Sequence, residues 1–407
     1  MQAKTVADLS DQQISGARIL VRVDFNVPLD AEGRITDDIR IVRALPTLEY
    51  LLERGGRLVV TSHLGRPKGG PDPAFSLRPV AEHLSGLLSY PVHFCPELVG
   101  PEAQRAVGAL GGGELLLLEN TRFHEGEKKN DPGLSEALAG FGDLYVNDAF
   151  GTAHRAHAST VGAAEVLKRN GKKAVAGFLM EKELRYLGLA LGDPDRPFVA
   201  VLGGAKISGK IEVIDTLLPK VDRLLVGGAM ANTFFKALGL ETGGSLVEDD
   251  RVDLARETLE AAGEKLLLPV DCVVADGISE DAVTREVERT GVAKGDRIGD
   301  IGPGSRELFS QALSGAGTVV WNGPMGVFEM TPFAQGTLAL AQAVAAVTDQ
   351  GGTTIVGGGD SASAAEQAGV ADRLSHVSTG GGASLEFLSG SVLPGVAALD
   401  KKEGSES

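Results

Sequence analysis

Cysteine is scarce in this sequence, with only Cys95 and Cys272 among 407 residues. The two lie far apart and neither belongs to a CxxC or CxxH motif, which argues against a disulfide scaffold and against a cysteine-based metal site. We therefore expect a protein of a reducing compartment. No apolar run reaches the roughly 18 residues of a membrane span, and the N-terminal MQAKTVADLSDQQ lacks the apolar core of a secretory signal. These absences predict a cytoplasmic protein without a membrane partner.

Positive charge is also in short supply. The sequence has 39 lysines and arginines against 55 aspartates and glutamates, which gives a net charge of -16. Because nucleic-acid binders usually carry a basic footprint, we expect no nucleic-acid partner. A local cluster of cations can still bind a small anion. No heptad pattern or exposed apolar stripe indicates self-association, so we expect a monomer.

Glycine, by contrast, is abundant, at 55 of 407 residues, roughly twice the usual share. Short apolar runs alternate with Ala/Leu/Glu-rich helical stretches, a pattern typical of parallel sheets covered on both faces. The runs form two groups of six: 19–25, 57–63, 91–95, 114–120, 144–148 and 173–179, then 198–204, 223–228, 266–276, 318–324, 353–360 and 375–382. We predict an α/β protein with two sheets of about six strands. The stretch EKELRYLGLALGDPDRP (181–197) is expected to be a connecting hinge helix between domains at 1–180 and 198–389.

Charged and amide side chains follow the strands of the first half. In open α/β sheets, ligands bind outside the carboxyl ends of the strands. The residues at these ends are Asp24, Asn26, His63, Arg66, Arg122, Asn147, Asp148 and Arg155. Singly, each has a structural explanation, such as a turn cap before Pro28 or a solvated loop arginine. Together, four strand ends with Arg or His predict a bound small anion with several charges, because arginine forks suit carboxylate and phosphate oxygens.

The segment VLGGAKISGKIE (201–212) differs by one residue from a P-loop. That loop requires Ser or Thr after the lysine, where this chain has Ile211, so a Walker-type site is disfavoured. Lys206 and Lys210 are four residues apart, and we expect them on one face at the start of a helix. Two like charges so placed predict an anion beside them, such as a phosphoryl group in transfer.

Further glycine clusters end the strands of the second half. TTIVGGGDSASAAEQAG (353–369) predicts a strand, a triple-glycine turn and a helix with Asp360 at its N-cap. Helix N-termini with glycine-lined backbone bind phosphates, and Asp360 could cap the helix or hold Mg²⁺; a merely flexible turn is the alternative. STGGGAS (378–384) contains a second triple glycine of the same kind. WNGPMGVFE (321–329) ends in Glu329, a candidate acceptor for ribose hydroxyls.

These segments resemble phosphoglycerate kinases along nearly the whole chain. The matching segments, in order, are RVDFNVP, DDIRIVRALPT, TSHLGRPKG, LENTRF, VNDAFGTAHRAHAS, LGGAKISGK, VVWNGPMGVFE, VGGGDSA and STGGGAS. The resemblance implies two Rossmann-like domains, with 3-phosphoglycerate on the first and Mg²⁺ with ADP or ATP on the second. It also implies a C-terminal tail, about 390–407, that packs back on the first domain. The implied reaction is reversible phosphoryl transfer between 1,3-bisphosphoglycerate and ADP in glycolysis, with hinge closure.

The resemblance also implies residue roles. The 3-phosphoglycerate contacts would be Asp24, Asn26, Arg40, His63, Arg66, Arg122 and Arg155. Arg40 is identified only in this way, and with Lys206 and Lys210 it would face the transferring phosphoryl group. The nucleotide contacts would be Lys206, Lys210, Gly227, Gly228, Asn322, Val327, Glu329, Gly357, Gly358, Gly359, Asp360, Ser361, Gly380, Gly381 and Gly382, with Asp360 as the metal ligand. The chain departs from the family pattern at Gly209, where Asp is common, and at Ser361, where Thr is common.

Two other classes compete with this interpretation. A non-enzymatic two-domain binding protein would explain two sheets but not the two lysines and the Asp360 loop. A nicotinamide dehydrogenase would need GxGxxG after a strand and an acidic residue about 20 positions later. Neither LGGAKISG nor VGGGDSA has that spacing. The choice between ATP and GTP stays open.

Overall fold

The computed structural model describes residues 3–68 and 70–402. It divides into two compact units: unit 1 comprises Met1–Arg185 with Val392–Ser407, and unit 2 comprises Tyr186–Ser391. Helix α7 (Phe178–Leu191) contains the point of division. Each unit has its own hydrophobic core. No helix of the described ranges has the length and apolar character needed to cross a membrane.

Unit 1 is built on a six-stranded parallel sheet in the order β3-β4-β2-β1-β5-β6. Its strands are β1 (Arg18–Val23), β2 (Arg57–Thr61), β3 (Val92–Cys95), β4 (Leu115–Leu118), β5 (Leu144–Asp148) and β6 (Ala174–Ala176). Its helices are α1 (Asp11–Ile14), α2 (Ile39–Glu53), α3 (Arg78–Leu87), α4 (Pro101–Ala109), α5 (Pro132–Ala139), α6 (Ala163–Arg169) and α15 (Pro394–Ala397). All four residues of β4 are buried leucines, as in a sheet covered on both faces.

The C-terminal segment contacts both β6 and the N-terminal segment. The backbone N–H of Lys4 donates to the carbonyl of Asp400 at 2.7 Å, and the N–H of Asp400 donates to the carbonyl of Ala174 at 2.7 Å. The Asp400 carboxylate also accepts from the N–H of Ala174 at 3.0 Å. These bonds hold the two chain ends together at one edge of the unit 1 sheet.

Unit 2 contains a second six-stranded parallel sheet in the order β15-β14-β13-β7-β8-β9. Its strands are β7 (Phe198–Leu202), β8 (Arg223–Val226), β9 (Leu266–Leu267), β13 (Thr318–Asn322), β14 (Thr353–Val356) and β15 (His376–Val377). Its further helices are α8 (Ile211–Leu217), α9 (Met230–Ala237), α10 (Val252–Ala262), α11 (Pro303–Leu313), α12 (Gln335–Asp349), α13 (Gly359–Gln367) and α14 (Gly382–Leu388). The prediction of two parallel sheets of about six strands is confirmed.

A third, antiparallel sheet of three strands was not predicted. It has the order β11-β10-β12 and comprises β10 (Asp271–Ala275), β11 (Arg285–Glu288) and β12 (Arg297–Ile301). The apolar run at 266–276, expected to be one strand, is divided at Pro269 into β9 of the large sheet and β10 of the small one. β11 reads REVE and is largely exposed, so it carries no apolar run from which a strand could be predicted.

Candidate functional site

The carboxyl ends of β1 and β2 bring four of the predicted side chains of unit 1 together. Asp24 follows β1, and its Oδ2 accepts a hydrogen bond at 2.8 Å from Nη1 of Arg40, in the first turn of α2. His63 follows β2, with Nδ1 at 3.7 Å from Asp24 Oδ1. The side chain of Asn26 accepts from the backbone N–H of Gly65 at 2.7 Å and so holds the His63 loop. The sheet edge thus clusters the four residues.

Three arginines complete the predicted set. Arg122 lies in a 3-10 turn after β4, and its Nη1 donates to the carbonyl of Gly65 at 2.5 Å, while its buried Nε has no partner among the described residues. Burial and the nearby Arg22 lower the pKa of Arg122, and Arg155 adds to the effect. Arg66 and Arg155 are exposed, and Arg155 Nε donates to His154 Nε2 at 2.9 Å. A buried cation whose pKa is lowered by neighbouring cations favours binding of an anion beside it.

Burial and charge set the protonation states at this edge. Burial alone would raise the pKa of the Asp24 carboxyl, but His63, Arg40 and Arg22 together hold that pKa below its usual value. Burial lowers the pKa of His63 to about 3, against the attraction of Asp24. At neutral pH, Asp24 is therefore an anion and His63 a neutral ring.

Asn147 and Asp148, the other strand-end residues, have structural partners. Asn147 is buried, and its Oδ1 accepts from the N–H of Ala149 at 3.0 Å. Asp148 is fully buried, and its Oδ1 accepts from the N–H of Met180 in the first turn of α7 at 3.0 Å. Both therefore stabilise the chain around the sheet edge.

Arg22, inside β1, contacts the predicted site but was not among the residues predicted from the sequence. It is 1% exposed, donates from Nε to Ser159 Oγ at 2.9 Å, contacts the carbonyl of Val23 and places Nη2 at 3.2 Å from His63 Nδ1. A cation inside the apolar stretch ILVRV (19–23) was the available signal, because a buried charge must be compensated.

Unit 2 contains a cavity of about 660 Å³ between its large and small sheets. Four predicted nucleotide contacts line it: Gly228, Val327, Glu329 and Asp360. Gly228 follows β8 with φ of 68°, and a Cβ there would lie 2.5 Å from the backbone N of Gly204. Only glycine allows the two chain segments to approach so closely.

Most residues of the cavity wall were not predicted, and Asn232 and Leu246 are two of them. Asn232, on α9, is fully buried, and its Nδ2 donates to the carbonyl of Leu246 at 3.1 Å. Leu246 lines the cavity and is 51% exposed. An amide within MANTFFKA and a leucine in a polar loop are common in protein sequences, so neither residue could be predicted to line a cavity.

The glycine-rich loops after β13, β14 and β15 surround a second group of predicted contacts. Helix α13 begins at Gly359 with Gly358 as its N-cap (φ 96°), so Asp360 lies in the first turn and the prediction that Asp360 is the N-cap was wrong. Asn322 Nδ2 donates to the carbonyl of Gly357 at 2.8 Å, and Ser361 Oγ accepts from the N–H of Gly323 at 2.6 Å. Both side chains are buried and fix the shape of the loops.

Helix α14 repeats this arrangement. It begins at Gly382 with Gly381 as its N-cap (φ 46°), and the N–H of Gly380 donates to Ser378 Oγ at 3.0 Å.

Gly227 follows β8 directly, and a Cβ there would lie 2.4 Å from the sulfur of Met325. The strand ends of this sheet are therefore lined largely by backbone.

Lys206 and Lys210 do not lie on a helix, contrary to the prediction. Helix α8 begins at Ile211, Lys210 is its N-cap residue, and Lys206 is exposed in the preceding loop. The loop is held by Ser208, whose N–H donates to Glu248 Oε2 at 3.1 Å. Burial lowers the pKa of Lys210 to about 8, against the attraction of Asp360. Asp360, which lines the cavity, is therefore close enough to Lys210 to affect its pKa.

The donor set fits magnesium bound through phosphate. Asp360 and Glu329 are carboxylates at the cavity wall, and within residues 3–68 and 70–402 no group of three or more His, Cys, Asp or Glu side chains forms a metal site. Mg²⁺ commonly takes one or two protein carboxylates together with substrate phosphates and waters. A single carboxylate beside the N-terminus of α13 is consistent with this mode of Mg²⁺ coordination.

Comparisons with known proteins agree on one family. A family model described as phosphoglycerate kinase matches residues 9–391. A protein of Chlorobium luteolum with that name is 57% identical over 403 residues, covering 98% of this chain and 100% of the relative. A protein of Chloroflexus aggregans with the same name is 57% identical over 408 residues, covering 99% and 100%.

Solved structures are similar over the same length. The structure of phosphoglycerate kinase from Coxiella burnetii matches with a TM-score of 0.86 and 43% identity, covering 97% of this chain and 98% of that one. The Pyrococcus horikoshii enzyme matches with a TM-score of 0.83 and 33% identity, with the same coverage. The chain therefore belongs to the phosphoglycerate kinase family, whose members are phosphotransferases with a carboxyl group as acceptor.

Proposed function

We propose that this chain catalyses reversible, Mg²⁺-dependent phosphoryl transfer between 1,3-bisphosphoglycerate and ADP, giving 3-phosphoglycerate and ATP, as a cytoplasmic monomer in glycolysis. One observation carries the proposal beyond the family assignment: the two parallel sheets carry different binding chemistry at their strand ends. One has a cluster of side-chain cations, and the other has glycine-rich loops at its strand ends beside a cavity. Two dissimilar ligands, one small anion and one nucleotide, match this division.

In unit 1, the substrate would be 3-phosphoglycerate, which carries a carboxylate and a phosphate. Its ligands would be Asp24, Asn26, Arg40, His63, Arg66, Arg122 and Arg155. Arg66 has no hydrogen bond or ion pair with another described residue, and buried Arg122 Nε lacks a partner among them. Such donors favour binding of phosphate oxygens, because arginine forks match their geometry.

In unit 2, the nucleoside of ATP or ADP would occupy the cavity, with Glu329 accepting from the ribose. The phosphates would extend towards the N-terminus of α13, where backbone N–H groups and the helix dipole favour negative charge. The loops carrying Gly357, Gly358, Gly359, Ser361, Gly380, Gly381, Gly382 and Asn322 would surround them, with Gly227, Gly228 and Val327 beside the nucleoside. Lys206 and Lys210 would lie near the terminal phosphates.

The reaction would need no general base, because the attacking carboxylate or ADP oxygen is already ionised. Catalysis would come from positioning and from neutralising charge on the transferring group. Arg40, Lys206 and Lys210 would perform that neutralisation. Mg²⁺, held by Asp360, would supply charge compensation for the nucleotide phosphates when bound.

Transfer by this scheme requires residues of both units to act on one group. Arg40 belongs to unit 1 and Lys206 to unit 2, and both would have to face one phosphoryl group. We infer that the segment 181–197 acts as a hinge. Small-angle scattering checks this: the radius of gyration should fall when both substrates are bound, and an unchanged radius would contradict closure.

The central test is an assay of ADP formation from ATP, coupled to a reaction that removes product. We expect turnover only when 3-phosphoglycerate, ATP and Mg²⁺ are all present, and none after chelation of the metal. Stabilisation by nucleotide without turnover would favour a binding protein. Stabilisation by NAD instead would favour a dehydrogenase.

A further inference from the structure

A chain of hydrogen bonds runs through the interior of unit 1 behind the anion site. Ser159 Oγ donates to Glu127 Oε1 at 2.6 Å, and the backbone N–H of Ser159 donates to Glu127 Oε2 at 3.0 Å. Arg22 Nε donates to Ser159 Oγ at 2.9 Å, and Arg22 Nη2 lies 3.2 Å from His63 Nδ1. Glu127, Ser159 and Arg22 are each 1% exposed, and His63 is 4% exposed.

The chemistry of these groups fixes the direction of every bond in the chain. A guanidinium has donors only, so Ser159 Oγ must accept from Arg22, and its single proton is then donated to Glu127. For the same reason His63 Nδ1 must accept from Arg22. A neutral imidazole whose Nδ1 accepts carries its proton on Nε2.

The other charged neighbours favour the same state of the ring. Asp24 Oδ1 is 3.7 Å from Nδ1, which is too long for a hydrogen bond that could hold a proton there. Burial disfavours a charged ring most strongly, and Arg22, Arg122 and Arg40 add to its effect, so that together they outweigh the attraction of Asp24. A proton on Nδ1 would meet the Arg22 donor, leaving two buried donors without an acceptor.

We propose that Glu127, Ser159 and Arg22 form a positioning relay that fixes His63 as the Nε2–H tautomer, so that His63 offers a neutral donor to a substrate oxygen. Nε2 has no hydrogen-bond partner within the described residues, which leaves this donor available. Glu127 also balances the buried charge of Arg22 through the serine hydroxyl. The role of His63 towards substrate rests on the proposed function; its tautomer in the ligand-free protein does not.

The tautomer can be measured by long-range ¹H–¹⁵N NMR of the ring nitrogens in the ligand-free full-length protein. The His63 signals are assigned by their loss in His63→Asn. We expect a protonated Nε2 and an unprotonated Nδ1 at neutral pH. A proton on Nδ1, or an equal mixture of tautomers, would overturn the proposal without any variant of the relay.

Ser159→Ala tests the relay itself. Without the hydroxyl, Arg22 loses its Nε acceptor and the orientation of its contact with His63. We expect a mixture of His63 tautomers and a KM for 3-phosphoglycerate that rises about tenfold, the loss of one hydrogen bond, with kcat nearly unchanged. Ser159→Thr, which keeps a hydroxyl, should restore both. The matched control is Ser135→Ala, since Ser135 is also buried in unit 1 but donates to the carbonyl of Asp131 at 2.8 Å.

The outcomes separate the two proposals. A folded Ser159→Ala protein with an unchanged tautomer and an unchanged KM would overturn the relay. If that variant does not fold, Glu127→Ala removes the acceptor of the serine proton at the other end of the chain, with the same expected results. Absence of turnover in the unaltered protein would contradict the proposed function, whereas the NMR result would still decide the tautomer.

Discussion

Under the proposed function, the two units bind phosphate-bearing ligands with different parts of the polypeptide. In unit 1 the candidate site consists of side chains: Asp24 lies within contact of Arg40 and of His63 at the ends of β1 and β2. In unit 2 the strand-end loops carry clusters of glycine, and glycines such as Gly204 and Gly228 let backbone segments approach closely in the cavity wall. A small anion offers few atoms, so it needs directed charges; a nucleotide is large enough to be held by shape and by backbone N–H groups.

The largest effects are expected where both units must act on one phosphoryl group. We predict that Arg40→Ala or Lys206→Ala lowers kcat by at least about 100-fold with a much smaller change in KM, because each cation would neutralise charge that develops during transfer. Steady-state kinetics with both substrates varied measures this. Equal losses in kcat and in substrate affinity would argue for ground-state binding only.

Matched controls for this prediction exist in each unit. Arg34 is exposed and pairs with Asp30 at 2.7 Å, and Lys236 is exposed and pairs with Asp249 at 2.5 Å. Their alanine variants remove a cation of the same type away from the proposed sites. We expect both to keep kcat and KM within about twofold, since surface pairs contribute little.

A nucleotide site that depends on close approach of backbone atoms should be disrupted when a glycine gains a single methyl group. We predict that Gly228→Ala destabilises unit 2 by about 3 kcal/mol or more and abolishes nucleotide binding, because the new Cβ would lie 2.5 Å from the N of Gly204 at a φ of 68°. Chemical denaturation and calorimetric titration with ADP measure the two effects. Gly239→Ala is the matched control, since Gly239 has a φ of 77° but no atom within 4 Å of a Cβ. Similar losses in both variants would assign the effect to backbone strain alone.

The difference between the units also decides what could be predicted from the sequence. Most of the twelve strands of the two parallel sheets were predictable because they are buried on both faces and therefore form continuous apolar runs in the sequence, as β4, β7 and β13 do. The antiparallel sheet was not, since β11 is polar and β10 continued an apolar run in the sequence. In the sites, the strand-end rule found His63 and Arg122, but Arg40 required resemblance to a family.

Other features depend on contacts that a linear pattern cannot contain. Arg22 becomes relevant only because Ser159, 137 residues away, accepts its hydrogen bond inside the fold. The loop at Lys206 is not helical because Ser208 is bonded to Glu248, which is 40 residues away. Local spacing predicted a helix there, and a tertiary hydrogen bond determined the result.

The contributions of Asp300 in unit 2 and of His63 in unit 1 to the stability of the fold should change with pH in opposite directions. Burial raises the pKa of Asp300, in β12, to about 7, and an unfolded aspartate titrates near 3.9, so its contribution to stability is lost as the pH rises from about 4 to about 7. His63 has a pKa of about 3 when folded and near 6.5 when unfolded, so its contribution is lost as the pH falls through that window. Burial thus penalises the anion in one unit and the cation in the other.

Asp300→Asn isolates the effect in unit 2. Asparagine cannot ionise. We therefore expect the free energy of unfolding of the variant, relative to that of the unaltered chain, to rise by at least about 1.4 kcal/mol between pH 5 and pH 8, which corresponds to one pKa unit. Loss of one bond to the N–H of Gly336 or Ile301 would add an offset that does not depend on pH. Urea unfolding at both pH values gives the difference. The exposed Asp281→Asn serves as control, and an equal pH response in the two variants would contradict the assignment.

The smallest effect is expected at Gly209, one of the two departures from the family pattern that the sequence resemblance implies. Its φ is not in the left-handed region, and a Cβ there would contact only the carbonyl of Lys206 at 3.9 Å, so Gly209→Asp should fold normally. The new carboxylate would lie beside Lys210, near where the nucleotide phosphates are proposed to bind, and would both attract the lysine and repel phosphate. Because these effects oppose each other at a solvated loop, we predict a change in affinity for Mg²⁺-ATP of less than about threefold, or ~0.6 kcal/mol. Calorimetric titration at two salt concentrations measures it, with Gly209→Asn as the uncharged control. A tenfold change seen only with aspartate would mean that side-chain charge contributes substantially to the nucleotide site, and the contrast between a side-chain site and a backbone site would then need revision.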